Sequence, residues 1–341
     1  MRLSLCMIVR DEAFFIEDCL SAARPLVDEI VVVDTGSKDG TRETALVIAD
    51  QIIDFPWVED FSAARNEGLA AATGDWVLVL DADERIAPTD YAAMREAMHD
   101  ERYDGFYLQN RSYSNAPDQR NWRPIGEDDP NARGYLGYSG HPIMKLFRSR
   151  ADIRYRGRVH EIIDGSVEAS RRGTLDVVIH HYGEANPGRP RRERALRYLK
   201  IMDEELAERD DGRLFAIAGS TAMYHAQDYA KAQRYLLRAA ELGYEPAISL
   251  EGAAEAAYRA GDFGPARDIY ERLYNDGKRA PSLCLNLANL VVRAGDAERG
   301  ATLLEECLAL GGIDEPTNEA IRRNIKLLRR KRPEDGVPRP S

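Results

Sequence analysis

Through the first hundred positions, short runs of β-branched and aliphatic residues alternate with apolar residues at helical spacing, the pattern of a parallel sheet covered by helices. Leu3 to Val9 reads as a first strand, and Glu12 to Ala23, with Phe15, Ile16, Cys19, Leu20 and Ala23 on one face, as a first helix. Ile30 to Asp34 predicts a second strand closed by Thr35-Gly36-Ser37-Lys38-Asp39-Gly40, after which Thr41 to Ala49 is helical. Ile52 to Phe55 predicts a third strand, Ser62 to Ala72 a third helix, and Trp76 to Leu80 a fourth strand ending at Asp81-Ala82-Asp83-Glu84. Polar residues therefore gather at the carboxyl ends of strands, where open α/β sheets take their ligands.

From Gly105 to Leu108 a further strand is expected, then a loop of about thirty residues up to His141, long enough to be a lid or binding loop. Trp122, Tyr135 and Tyr138 in it either stack on or cover a bound ligand or simply tie the loop down, and Gly134, Gly137 and Gly140 give it hinges. Strand character resumes over Met144 to Phe147, Ile153 to Glu161 and Leu175 to Tyr182. Pro187, Gly188 and Pro190 mark a boundary. Beyond it Asp228, Asp262 and Asp296 recur 34 residues apart, as do Ala232, Ala266 and Gly300, with Gly-Asp turns at 261–262 and 295–296, the tetratricopeptide pattern of paired helices. The predicted organisation is an α/β domain over 1–183, a joining helix (about Arg191 to Arg209) and all-α repeats over 184–330, and a disordered tail over 331–341.

Composition narrows the class. The chain has 341 residues, 44% apolar, and 47 Lys+Arg against 58 Asp+Glu give a net charge of −11, which argues against a nucleic-acid partner. Anionic substrates remain compatible, because a bound divalent ion inverts the charge of a local site. Cys6, Cys19, Cys284 and Cys307 lack CxxC spacing, so neither a zinc site nor a disulfide framework is expected and a reduced, cytoplasmic setting fits. The apolar run Leu3 to Val9 meets Arg10, Asp11 and Glu12 too early for a signal peptide, and the other apolar stretches fall short of the ~20 residues of a membrane helix.

Two carboxylates one residue apart at a strand end, Asp81 and Asp83, can both reach a hard cation such as Mg²⁺ or Mn²⁺, although such a pair alone often just caps a turn. Asp34 ends another strand and Arg65 with Asn66 opens toward the same edge, so an anion and its counter-ion fit between them.

In order, CMIVRDE, VVVDTGSKDGT, DFSAARNEGLAAATGDWVLVLDADE, GRVHE and IHHYG resemble family 2 of the nucleotide-sugar glycosyltransferases, and in particular its bacterial branch with tetratricopeptide repeats that includes sublancin-type peptide S-glycosyltransferases. The resemblance covers roughly residues 1–183 and implies the GT-A fold and a metal-dependent, inverting transfer from a nucleotide sugar, UDP-linked by expectation, with Mn²⁺ or Mg²⁺ as cofactor. It implies that Asp34 pairs with the nucleotide base, with Ile8, Val9 and Arg10 lining that pocket and Glu12 and Thr35 belonging to it; as alternatives, Asp34 caps an Asx turn with Ser37 and Glu12 is a first-turn helix residue. Arg65 resembles a residue near the nucleotide or its phosphates, the alternative being a solvated arginine on a helix face. Within Asp81-Ala82-Asp83, Asp83 is the first choice as direct metal ligand, and Asp81 lies at the ribose or reaches the metal through water. His181 stands where a late histidine completes the ion shell. Glu161 is the expected general base with His160 orienting sugar or phosphate, the alternative being an ion pair of Glu161 with Arg156 or Arg158. His141 is a further candidate donor contact.

The acceptor stays open between a peptide or protein and a small molecule, and the repeats are read as shaping or recruiting it, or as a homodimer surface. The competing class is a non-catalytic tetratricopeptide scaffold whose nucleotide-sugar domain has lost turnover.

Overall fold

The computed structural model of the chain describes residues 1–117, 121–126, 129–183 and 191–330. The expected tail over 331–341 and residues 184–190 of the expected boundary lie outside these. Two compact units result, Met1–Pro190 and Arg191–Ser341.

In chain order the first unit runs β1 (Leu3–Val9), α1 (Ile16–Ala23), β2 (Glu29–Asp34), α2 (Thr41–Ile48), β3 (Gln51–Asp54), α3 (Phe61–Ala71), β4 (Trp76–Val79), β5 (Glu84–Ile86), α4 (Tyr91–Ala97), β6 (Gly105–Ser114), β7 (Arg123–Pro124), β8 (Gly137–Arg148) and β9 (Arg172–His181). The sheet order is β3-β2-β1-β4-β8-β6-β9-β5, with β7 paired to β8. The first four neighbours are parallel, β8 runs antiparallel to both β4 and β6, and β5 closes antiparallel on β9. β1, β2 and β4 are apolar nearly throughout because helices cover both faces. Ile16, Cys19 and Leu20 of α1 join one core, and α3 lies close enough to β1 and β2 that a Cβ on Gly68 would sit 3.2 Å from Val33 Cγ2.

Three departures from expectation have physical causes. The first helix begins at Ile16, not Glu12, because Asp11 takes a φ of 55° and the N–H groups of Asp11, Glu12 and Ala13 donate to the side chains of Ser37, Thr41 and Asp39 instead of starting a helix. Glu12 is therefore a turn residue. The long loop is shorter at both ends, since β6 runs on to Ser114 and pairs there with Gly137. Gly137 and Gly140 are strand residues rather than hinges; a Cβ on Gly137 would lie 2.0 Å from the Trp122 ring, which fills that space. Finally, Ile153 to Glu161 is not a strand. Arg156 and Ile162 bridge each other across a closed loop in which Gly157 (φ 100°) and His160 (φ 53°) are left-handed, so strand alternation does not decide where His160 and Glu161 point.

The second unit holds α5 (Arg191–Glu208), α6 (Gly212–Thr221) continued by a π turn (Ala222–Ala226), α7 (Tyr229–Glu241), α8 (Pro246–Ala260), α9 (Phe263–Asn275), α10 (Pro281–Arg293), α11 (Ala297–Leu310) and α12 (Glu315–Leu328). Leu199, Ile201 and Met202 of α5 are buried, and α5 packs on α6 and the π turn. The 34-residue period has a structural meaning: Asp228, Asp262 and Asp296 stand at the N-caps of α7, α9 and α11, and the side chains of Asp228 and Asp296 accept from Lys231 N and Arg299 N. Ala232, Ala266 and Gly300 are the small residues where paired helices touch. A Cβ on Gly300 would lie 2.2 Å from Val292 Cγ2, and valine is stiff at χ1. Gly300→Ala should therefore destabilise the chain by about 1–3 kcal/mol, read as a lower urea midpoint at unchanged slope; an unshifted midpoint would show that α10 and α11 have room to separate.

Candidate active site

The carboxyl ends of β1, β2 and β4 lie side by side, with Val9 paired to Asp34 and Cys6 to Val79. Thr35 donates from both N–H and hydroxyl to Val9 O, and Lys38 N donates to Asp11, so the turns after β1 and β2 are knitted together. Asp34 is buried, and its Oδ1 accepts from Gly36 N (3.1 Å), Ser37 N (2.9 Å) and Ser37 Oγ (2.7 Å). The Asx turn is thus real. It occupies one oxygen and leaves Oδ2 without a partner among the described residues. Ile8 and Val9 end the adjacent strand and Arg10 follows it directly.

Beyond β4 the turn is closed by Glu84 N donating to Asp81 O and Asp81 N donating to Glu84 Oε2, both at 2.9 Å. A chain of charges is strung across it. Arg65, from α3, donates Nε to Glu161 Oε1 at 2.5 Å and Nη2 to Asp81 Oδ1 at 2.9 Å, while Lys145 Nζ reaches Asp81 Oδ2 at 3.3 Å and Glu84 Oε2 at 2.7 Å. Burial alone would raise Asp81, but the Arg65 and Lys145 charges hold its carboxyl far below the usual carboxylate range. The same pairing keeps the buried Lys145 charged, its pKa pushed up by Asp81 and Glu84 against desolvation. Arg65 Nη1 is buried with no hydrogen-bond partner, although its guanidinium lies 5.4 Å from the Tyr155 ring centre.

Next to this string, pairing of β5 with β9 sets Glu84 opposite His181 and brings His181 Nε2 to 3.4 Å from Asp83 Oδ2. Ser112 and His181 Nδ1 share a hydrogen bond of 2.9 Å, which orients the ring. Burial pushes His181 down, yet the bond with Asp83 and the carboxylates of Glu84 and Asp81 outweigh it and raise the imidazole above its ordinary value. The space in front of the pair is kept by Gly183, where a Cβ would lie 2.8 Å from His181 Nε2 and 2.9 Å from Asp83 Oδ2.

The expected three-residue metal set is not assembled: Asp81 is turned to two cations, and the described residues contain no group of three side chains arranged to hold an ion. Asp83 and His181 remain adjacent, a carboxylate and an imidazole whose donor chemistry fits an ion completed by further oxygens. Glu161 joins the string, but through Arg65 and not Arg156 or Arg158. His160 is exposed at the loop tip. His141, on β8, feels the charges of His181 and Lys145. Trp122 does not enter the cluster; its Nε1 donates to Ser114 O and its ring packs at Gly137, while Tyr135 and Tyr138 pack on Tyr113. His180 faces away, stacked on Tyr113, with burial lowering its pKa to about 4.

Lys145, Ser112 and Tyr155 were not legible as site residues. A lone lysine inside the apolar run Ile143 to Phe147 was the available signal, since charges are rarely buried unpaired. Its aim comes from a β-bulge: Phe106 pairs with Leu146 and Tyr107 with Met144, so Lys145 is the extra residue.

Residues 4–156, within the mixed α/β sheet of the first unit, match Glycosyl transferase family 2, and the helices of the second unit follow that match. A TPR repeat-containing protein of Synechococcus elongatus is 33% identical over 282 residues, 79% of this chain and 65% of the relative. The SPbeta prophage-derived glycosyltransferase SunS of Bacillus subtilis is 25% identical over 163 residues, 46% of this chain and 33% of that protein. The chain thus spans less than two thirds of either relative. Among solved structures, S. aureus TarS 1-349 in complex with UDP matches 82% of this chain and 92% of its own at 14% identity and a TM-score of 0.42. No helix among the described residues is long and apolar enough to cross a membrane.

Proposed function

We propose that this chain is a metal-dependent, inverting glycosyltransferase that transfers a sugar from a UDP-sugar to a peptide, protein or small-molecule nucleophile. The observation that carries the reading is the Asp83–His181 pair set beside the Arg65–Asp81–Glu161 string at the carboxyl edge of a family 2 domain. A Mn²⁺ or Mg²⁺ ion bound at that pair would neutralise charge on the departing diphosphate. Asp34 and the strand end Ile8-Val9-Arg10, with Glu12 and Thr35, form the nucleotide pocket, and the unpaired Nη1 of Arg65 is a donor for a diphosphate oxygen. When Arg65 turns to the diphosphate it releases Glu161, which takes the proton of the acceptor as the acceptor atom bonds to the anomeric carbon and the carbon–oxygen bond to the diphosphate breaks. Single displacement inverts the configuration.

The test is UDP release and sugar transfer with UDP-, GDP- and dTDP-sugars in the presence of Mn²⁺; binding of UDP without turnover of any donor would instead fit a scaffold with a degenerate site. Because the His181 pKa is raised, its proton persists to higher pH and competes with the cation. Apparent Mn²⁺ affinity should therefore fall about tenfold per pH unit below that pKa. His181→Ala should flatten this dependence, and an unchanged Mn²⁺ titration in that variant would remove His181 from the ion site.

A further inference from the structure

On the side of the β5–β9 ribbon away from the carboxylate string, a cavity of about 600 Å³ opens between the start of α1 and the segment leading into β8. Strand alternation fixes the sides: Glu84 pairs with His181 and Arg85 with His180, so Arg85 and His180 point opposite to the Asp83–His181 pair. Tyr182 belongs with them, because it stacks on Tyr113 at 5.1 Å and Tyr113 stacks on His180 at 5.8 Å.

Arg85 is the unusual group there. Its side chain is only 8% exposed, its Nη2 is paired with Asp18, and its Nε and Nη1 are buried with no hydrogen-bond partner. Arg133 reaches the same Asp18 oxygen at 3.1 Å, and the guanidinium groups of Arg85 and Arg133 lie 5.5 and 4.6 Å from the centre of the Tyr182 ring. Two cations share one carboxylate, so the described lining carries a net positive charge. Phe14 is 65% exposed at the rim, and Tyr135 forms another wall. Nothing in the nucleotide pocket, the ion pair or the proton transfer uses these residues.

We propose that this cavity is a second binding site, taking a small oxyanion, phosphate or carboxylate, carried on a flat ring. A buried guanidinium with two nitrogens lacking partners is a donor fork lacking its acceptor. Asp18 is 59% exposed, so it yields its place at the fork readily to an incoming anion. The aromatic walls accept the ring by offset or edge contact, and the net positive charge selects its sign.

Titration calorimetry of the full chain with phenyl phosphate, benzoate and inorganic phosphate tests this. Phenyl phosphate or benzoate should bind saturably at one site, the stronger of the two identifying the anion, with inorganic phosphate weaker than phenyl phosphate. Arg133→Gln and Arg85→Gln should each weaken binding about 10- to 100-fold, the range of a lost charge-assisted bond, and Asp83→Ala should leave it unchanged. Should Arg85→Gln not fold, the half-exposed Arg133 still decides the matter. No saturable binding of either aryl anion, or binding lost in Asp83→Ala and kept in Arg133→Gln, would overturn the proposal.

Discussion

Glu161→Gln is expected to lower turnover by about 10²–10⁴-fold while UDP still binds with Mn²⁺. The amide is nearly isosteric, and its oxygen can still accept the bond that Arg65 Nε makes to Glu161 Oε1 at 2.5 Å, so Arg65 and the Asp81 it holds at 2.9 Å keep their places. The capacity to take a proton is removed, together with one of the two carboxylate charges that face Arg65. Single-turnover rates at saturating donor, with UDP titrations alongside, separate the two. If His160→Ala is the dead variant and Glu161→Gln transfers normally, the base is the exposed His160 at the loop tip. Arg65→Met would then be informative in its own right, since it frees Glu161 yet removes the buried donor proposed for the diphosphate.

Asp83→Ala should reduce transfer by more than about 10³-fold, the consequence of losing several kcal/mol of charge compensation on the leaving diphosphate. Asp83 faces His181 at 3.4 Å, and alanine would leave a single imidazole at the proposed ion site. The structural risk is small, because among the described residues the Asp83 side chain bonds to His181 alone. A melting curve close to that of the parent would confirm that the fold survives, and Asp83→Asn, which keeps the shape but not the charge, should fail as well. Full activity that still requires metal would place the ion elsewhere.

The parts of the site that were legible in the sequence are those held by residues close together in the chain. Asp34 followed by Gly36 and Ser37 announces its own turn, and Asp81-Ala82-Asp83 after an apolar run announces a charged strand end. The GRVHE segment, 157–161, was legible as chemistry but not as shape. Its alternation suggested a strand, whereas two left-handed residues bend it into a loop, and the partner of Glu161 comes from α3, near residue 65. The Trp122 ring was ambiguous for a similar reason: an aromatic in a polar loop reads alike whether it covers a ligand or fills the space above a glycine.

By itself the sequence determined most of the elements and their order, the short β5, α4 and β7 and the loop over 153–161 excepted, because hydrophobic periods of 2 and 3.6 and a 34-residue repeat are local properties of the chain. It also supplied the carboxylates. What only the tertiary structure decided is which charges meet. Pairing of β5 with β9 carries His181 to Asp83, a bulge on β8 aims Lys145 at Asp81 and Glu84, and α3 lays Arg65 between Asp81 and Glu161. Each depends on register between segments far apart in the chain. A one-residue slip would turn the same side chains to the opposite face, and no local pattern encodes that choice.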